Sequence, residues 1–197
     1  EVRTAMLGSM PPVVDHRSKV IILGSMPGRE SLEKQQYYAK KQNSFWRIVH
    51  ALFDAVPEDG YDARLAFVLG KGIALWDVLH ECERTGSSDS SITNEAANDL
   101  GSFFRAHPGM GHVFFNGKKA ARSFEKGVQL PPDVRARLRF TTLPSTSPAN
   151  AGMRFDSKLA AWMAVREALD DERDPQSCGR GGEGFEHSSL RSTRLVR

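Results

Sequence analysis

Four short apolar runs, separated by stretches with helical periodicity, organise the chain. Val20-Ile21-Ile22-Leu23 is a β-branched run that stops at Gly24, as expected of a strand buried on both faces. Ile73-Ala74-Leu75-Trp76, Val113-Phe114-Phe115 and Arg139 to Leu143 read as three further strands, the last stopped by Pro144. Between them Phe45, Ile48, Val49, Leu52 and Phe53 repeat at i, i+3, i+4, which predicts an amphipathic helix with Asn43 or Ser44 at its cap. Helices are also predicted over Ala63 to Leu69, Asp99 to Ala106, Lys118 to Lys126 and from Asp156 through Leu169. Strands separated by helices imply right-handed crossovers, hence an α/β three-layer sandwich with a central four-stranded parallel sheet flanked by helices. Ligands of such sheets sit beyond the carboxyl ends of the strands. The loops after Leu23, Trp76, Phe115 and Leu143 are therefore where chemistry is expected.

Length and composition refine this picture. The 197 residues fit one domain, expected over 16–170, with an extension at 1–15 and a tail at 171–197. Leu7-Gly8-Ser9-Met10 has the look of a vector-derived scar, so the first dozen residues are read as dispensable, with a natural start at Met6 or Met10. Five acids balance five arginines in the tail, and its few apolar residues predict disorder. No apolar run is long enough to span a membrane, and no secretory-signal pattern is visible. Only two cysteines, Cys82 and Cys178, are present, which excludes a disulfide scaffold or a four-cysteine zinc site and suits a reducing compartment. No metal or cofactor is implied. A cytoplasmic monomer is expected, nucleoid-associated if bacterial. The net charge of +3 permits a nucleic-acid partner without demanding one.

The loop after the first strand is Gly24-Ser25-Met26-Pro27-Gly28, a tight turn at which a ligand can approach the backbone. It lacks both the Gly-Lys-Ser/Thr ending of a phosphate loop and GxGxxG. Tyr37-Tyr38-Ala39-Lys40-Lys41-Gln42-Asn43 follows, with aromatics able to stack on a base and lysines able to meet phosphates. Asp77 ends the second strand, where a buried carboxylate is costly without a partner. It either caps a helix, pairs with Arg84, or accepts an N–H from a ligand. Cys82 reads as a filler. Arg84 and Asp89 form either a pocket-side network or a surface ion pair. Asn116 follows the third strand, with helix capping as its default role. The fourth strand leads into Leu143-Pro144-Ser145-Thr146-Ser147-Pro148-Ala149-Asn150, whose hydroxyls can donate to a phosphate backbone.

In order, the pieces LGSMPG, YYA, NSFW, GIALWDVL and LPSTSPAN resemble the uracil-DNA glycosylase superfamily over roughly Val20 to Leu169, nearest its hypoxanthine-DNA glycosylase (DNA-deoxyinosine glycosylase) branch. The resemblance implies the same α/β sandwich and DNA containing a deaminated base as partner. It gives Tyr38 the role of stacking on the flipped base and Asn43 that of catalytic residue. Asp77 occupies the position of an Asn that reads the base edge in the uracil branch. Met26 stands where the mismatch-specific branch has its water-positioning Asn, and Leu143 where the uracil branch has its leaving-group His.

The expected activity is monofunctional hydrolysis of the N-glycosidic bond, leaving an abasic site. The base is flipped out, and donors such as the backbone N–H groups near Ser25 and Met26 face the departing base. Asn43 and Asp77 are the catalytic candidates, and Gly24, Ser25, Met26, Tyr38 and Asp77 the base-binding ones. Ser145, Thr146, Ser147, Asn150 and Lys40 are the candidates for phosphate contact. Met153 or Phe155 is positioned to fill the gap in the stack or to pack in the core. Uracil is placed just ahead of hypoxanthine, as the commoner substrate of the superfamily. Two alternatives stand beside this reading. One is a lesion-binding module that does not cut, suggested by Met26 and Leu143. The other is an α/β enzyme acting on a nucleotide or nucleoside.

Overall fold

A computed structural model describes residues 5–84 and 89–171. The predicted tail from residue 172, and Cys178 within it, lie outside the described residues. The four apolar runs are strands: β2 (Val20–Gly24), β3 (Ile73–Asp77), β6 (His112–Asn116) and β7 (Arg139–Leu143). They form one parallel sheet in the order β3-β2-β6-β7. Its register is regular, pairing Gly24 with Asp77, Leu23 with Phe115, and Asn116 with Leu143. The carboxyl ends of all four strands thus finish in one row.

Strand alternation divides the core. Ile21, Leu23, Ala74, Val113 and Phe115 face α4 (Leu100–Ala106), α5 (Lys118–Gly127) and α6 (Pro132–Arg137). Val20, Ile22, Ile73, Leu75 and Phe114 face α2 (Phe45–Ala51), α3 (Tyr61–Gly70) and α7 (Phe155–Asp171). Every residue of Val20–Leu23 is fully buried, which explains the uninterrupted apolar run. Asp99 caps α4 by accepting from the Ser102 N–H at 2.9 Å. Trp162 of α7 is buried and donates from its indole nitrogen to the Pro144 carbonyl at 3.0 Å, tying the last helix to the loop after β7.

The N-terminal segment departs from expectation. Ala5–Gly8 is a strand, β1, antiparallel to β4 (Leu79–Arg84), which pairs in turn with β5 (Thr93–Ala97) in a second, three-stranded sheet. Met10 is buried, its carbonyl accepts from the Trp76 indole at 3.0 Å, and Val13 pairs with Leu75 along the open side of β3. Residues of the segment read as a dispensable extension therefore belong to the fold, because they cover an edge that would otherwise carry unpaired backbone groups. Two six-residue helices, α1 (Arg29–Lys34) and α6, were also outside the pattern-based expectation.

Candidate active site

The row of strand ends converges on Asp77. Its side chain is 3% exposed and Oδ2 has no hydrogen-bond partner. A methyl group on Gly24, the register partner of Asp77, would sit 2.5 Å from Asp77 Oδ1 and 3.8 Å from the Tyr38 hydroxyl. Position 24 is thus kept bare where the carboxyl, the phenol and the backbone approach one point. Burial, the largest influence, pushes the Asp77 carboxyl up to about 7; Asp89 adds to this and Arg84 opposes it. Burial and the Asp77 charge together drive the Tyr37 and Tyr38 hydroxyls far above the usual phenol range, so both stay protonated.

Tyr38 adopts a left-handed backbone (φ 55°), which costs energy for a non-glycine residue and sets its ring at the strand ends. Phe45 stacks on one face with centroids 3.7 Å apart. The opposite face has no stacked ring among the described residues. The hydroxyl accepts from Asn116 Nδ2 at 3.2 Å. Asn116 also donates to the Thr146 hydroxyl at 2.9 Å and accepts from the Thr146 N–H at 2.9 Å. Asn116 therefore does not cap α5, which begins after Gly117; it binds Tyr38 to the loop after β7. The Thr146 carbonyl in turn accepts from the Ser44 N–H at 3.1 Å and the Ser44 hydroxyl at 3.2 Å. Asn43, next to Ser44, accepts the Phe45 N–H at 2.9 Å and so holds the start of α2. Its oxygen keeps one lone pair, and its amide nitrogen makes no hydrogen bond with the described residues. Tyr38 and Asn43 are thereby carried by one connected assembly, while Asp77 is placed by its register with Gly24.

The turn after β2 is fixed from below. Its Gly24 and Ser25 carbonyls accept from the Val78 and Leu79 N–H groups. Arg84, 2% exposed, donates to the Pro27 carbonyl at 2.8 Å and the Met26 carbonyl at 3.3 Å, and pairs with Asp89 at 3.1 Å. Ser25 donates to the same Asp89 oxygen at 2.9 Å. The Arg84–Asp89 pair is therefore not a surface ion pair but a brace under the turn. With every carbonyl of Gly24 to Pro27 engaged, the N–H groups of Ser25 and Met26 remain without acceptors among the described residues. Arg84 was legible only as a candidate, since its neighbours Glu81 and Glu83 suggest a solvated strand.

The remaining candidates divide. The Met26 and Leu143 side chains are buried in the two halves of the core and contribute no polar group. Cys82 is likewise a buried core residue. Ser145, Ser147 and Asn150 are half-buried and shape their own loop: Ser145 accepts from the Ser147 N–H, and Asn150 donates to the Ser145 carbonyl. Thr146 is 1% exposed, so its side chain builds the site from within. Lys40 is exposed and Met153 is 38% exposed, whereas Phe155 packs against the core under the Arg47 guanidinium. Among the described residues, no helix is long and apolar enough to cross a membrane.

The carboxyl of Asp77 also makes a thermodynamic statement. A folded-state value above the ordinary one means that the native protein binds a proton which the unfolded chain has lost, so stability falls as pH rises from about 4 to about 7. Asp77→Asn removes that dependence. Its thermal unfolding at pH 8 is expected to exceed that of the parent by several degrees, with the gap closing by pH 4.

Comparison with known proteins shows the family and the fold. The family model of the uracil DNA glycosylase superfamily matches residues 11–166. A protein named hypoxanthine DNA glycosylase from Methanosarcina acetivorans is 37% identical over 158 residues, covering 79% of this chain and 94% of the relative. One of the same name from Methanosarcina barkeri is 36% identical over 154 residues, covering 77% and 92%. The solution NMR structure of a Methanosarcina acetivorans protein, provisionally described as a uracil DNA glycosylase, superposes with a TM-score of 0.71 at 33% identity, covering 84% of this chain and 99% of that one. With its parallel sheet and its strand-end site in place, the chain belongs to the uracil DNA glycosylase superfamily.

Proposed function

We propose that the chain is a DNA glycosylase that excises hypoxanthine in preference to uracil, reading the base with Asp77 and hydrolysing the bond beside Asn43. The observation that carries this reading is the buried Asp77 carboxyl with an unpartnered oxygen, facing bare Gly24 and the Tyr38 hydroxyl. A buried polar group without a partner is costly and marks a place that a ligand completes. The two relatives named hypoxanthine DNA glycosylases move hypoxanthine ahead of uracil, the reverse of the order suggested by abundance within the superfamily.

Hypoxanthine and uracil both present a carbonyl beside an N–H. A neutral carboxylic acid matches that edge with two hydrogen bonds: its carbonyl accepts the N–H and its O–H donates to the base oxygen. Burial favours this neutral form. As the glycosidic bond breaks, positive charge grows on the sugar and negative charge on the departing base. The Asp77 O–H and the free N–H groups of Ser25 and Met26 are donors in reach of a base held there, preorganised by Arg84. The face of Tyr38 opposite Phe45, which carries no stacked ring among the described residues, stacks on the base. Asn43 keeps one acceptor position and an amide donor with which to hold the attacking water. The extruded base leaves a gap in the helix, at a cost of a few kcal/mol that is smallest for a mispaired base.

Single-turnover incubation of matched duplexes bearing deoxyinosine or deoxyuridine, followed by alkali cleavage, is expected to show faster release of hypoxanthine. Tight retention of either lesion with no strand break at any enzyme excess means a binding module instead. Asn43→Ala is expected to slow release about 100-fold or more while leaving duplex affinity within about threefold. The rate of the parent enzyme is expected to fall as pH rises through about 7, as Asp77 loses its proton. Asp77→Asn, whose amide imitates the neutral acid, retains release and loses that pH dependence, and Asp77→Ala loses release. A parent rate that instead climbs through pH 7 rules out the neutral acid.

A further inference from the structure

Three helices each send one side chain to the backbone around Tyr38. The Ser31 hydroxyl of α1 accepts the Ala39 N–H at 3.2 Å. The Trp46 indole of α2 donates to the Tyr37 carbonyl at 3.2 Å. Tyr61, the first residue of α3, accepts the Tyr37 N–H on its hydroxyl at 2.9 Å. Tyr37 is fixed at its far end as well, where its own hydroxyl donates to the Pro11 carbonyl at 3.1 Å. Peptide units are planar, so the conformation of Tyr38 is set by the two peptide planes that flank it. Trp46 holds the plane before Tyr38, through the Tyr37 carbonyl, and Ser31 holds the plane after it, through the Ala39 N–H. Between these planes Tyr38 has φ 55°, a region that bulky side chains avoid. Such a conformation persists only where its surroundings over-determine it, and it points to a function for the residue so held.

We propose that Ser31, Trp46 and Tyr61 are positioning residues for base capture: they clamp the backbone around Tyr38 so that its ring stands ready for an extruded base. The inference rests on the glycosylase reading above, in which Tyr38 stacks on the base, and adds to it the device that holds the stacking face in place. Phe45 and Asn116 hold only the side chain of Tyr38, by its ring and its hydroxyl. Were φ to return to the negative range, the bond from Cα to Cβ would swing and carry the ring off Phe45 and away from Asn116. The clamp prevents this before any ligand arrives. Its value is preorganisation: a ring already in place has no ordering cost left to meet when the base leaves the stack. Tyr61 shows how remote such a support can be. It lies 24 residues from Tyr37 in sequence, its ring packs edge-on to Trp46 with centroids 6.2 Å apart, and its hydroxyl reaches the Tyr37 peptide. Ser31 is buried, so its hydroxyl faces the loop and not solvent.

The test follows extrusion and release separately in the full chain. Extrusion is read on a duplex bearing the 2′-fluoro-arabino form of deoxyinosine, whose fluorine opposes positive charge on the sugar and so keeps the bond intact. A neighbouring 2-aminopurine brightens when its stacking partner leaves. Ser31→Ala and Tyr61→Phe each remove a single oxygen atom, and Trp46 is left in place because it also fills the core. Each variant is expected to lower the extrusion equilibrium about three- to tenfold, the worth of one hydrogen bond to the backbone. Affinity for the same duplex without deoxyinosine is expected to stay within about twofold of the parent, since it rests on phosphate contacts. In a Tyr38→Ala background neither substitution is expected to cause a further loss, because the clamp then has no ring to hold. Unchanged extrusion in both variants overturns the proposal, as does a parent that produces no brightening. An equal loss in the Tyr38→Ala background overturns it too, since the effect then does not pass through Tyr38. Base release is scored on ordinary deoxyinosine. Extrusion that weakens in the variants of a chain that releases no base overturns the glycosylase reading alone, and release with extrusion unchanged in both variants overturns the clamp alone.

Discussion

The parallel register of four strands is the constraint on which the rest depends. Because Gly24 pairs with Asp77 and Asn116 with Leu143, the turn, the carboxyl, the carboxamide and the start of the hydroxyl-rich loop end at one level. The sheet order also reverses at β2, whose sequence successor β3 lies on one side and β6 on the other. Crossovers leaving a sheet on opposite faces part there, and the crevice between them is where open α/β sheets hold their ligands. A one-residue slip of β3 would send Asp77 to the opposite face. Strands with buried centres on both sides of β2 make such a slip prohibitive, since their apolar side chains on either face fit their own half of the core.

Around that row the protein trades stability for readiness. The carboxyl of Asp77 is held in a dry setting without a full set of partners, and Tyr38 is held in a backbone conformation that its side chain disfavours. Each is offset by rigid neighbours. Phe45 stacks on Tyr38, Asn116 holds its hydroxyl, and Arg84 holds the turn by its carbonyls. The guanidinium is well suited to this task, because its planar fork reaches two successive carbonyls and a carboxylate together. In this way the N–H groups of Ser25 and Met26 are left without acceptors among the described residues.

Much of this was legible in the residues. The β-branched and aromatic runs specified the four parallel strands, since strands buried on both faces need uninterrupted apolar residues. The amphipathic repeat of Phe45 to Phe53 located α2, and Asp77 stood out as a carboxylate ending a buried strand. What escaped was written in a weaker code. β4 and β5 are polar, and their pairing shifts register between Leu79 and Glu83, which breaks the alternation that would have announced them. Arg84 was hidden among acidic neighbours, because its burial is decided by a turn almost sixty residues earlier. Asn116 looked like a helix cap because capping is local, whereas its partners Tyr38 and Thr146 are distant in sequence. α1 and α6 were too short to show a period.

The antiparallel ladder at the N-terminus has a consequence for how the chain can be handled. Ala5 lies opposite Arg84 in that ladder, so the first described strand steadies the backbone from which the buried guanidinium reaches the turn. A fusion partner or a trimmed leader at that end would touch the chemistry indirectly: by fraying the outer strand it would loosen the lever arm of Arg84, some eighty residues downstream.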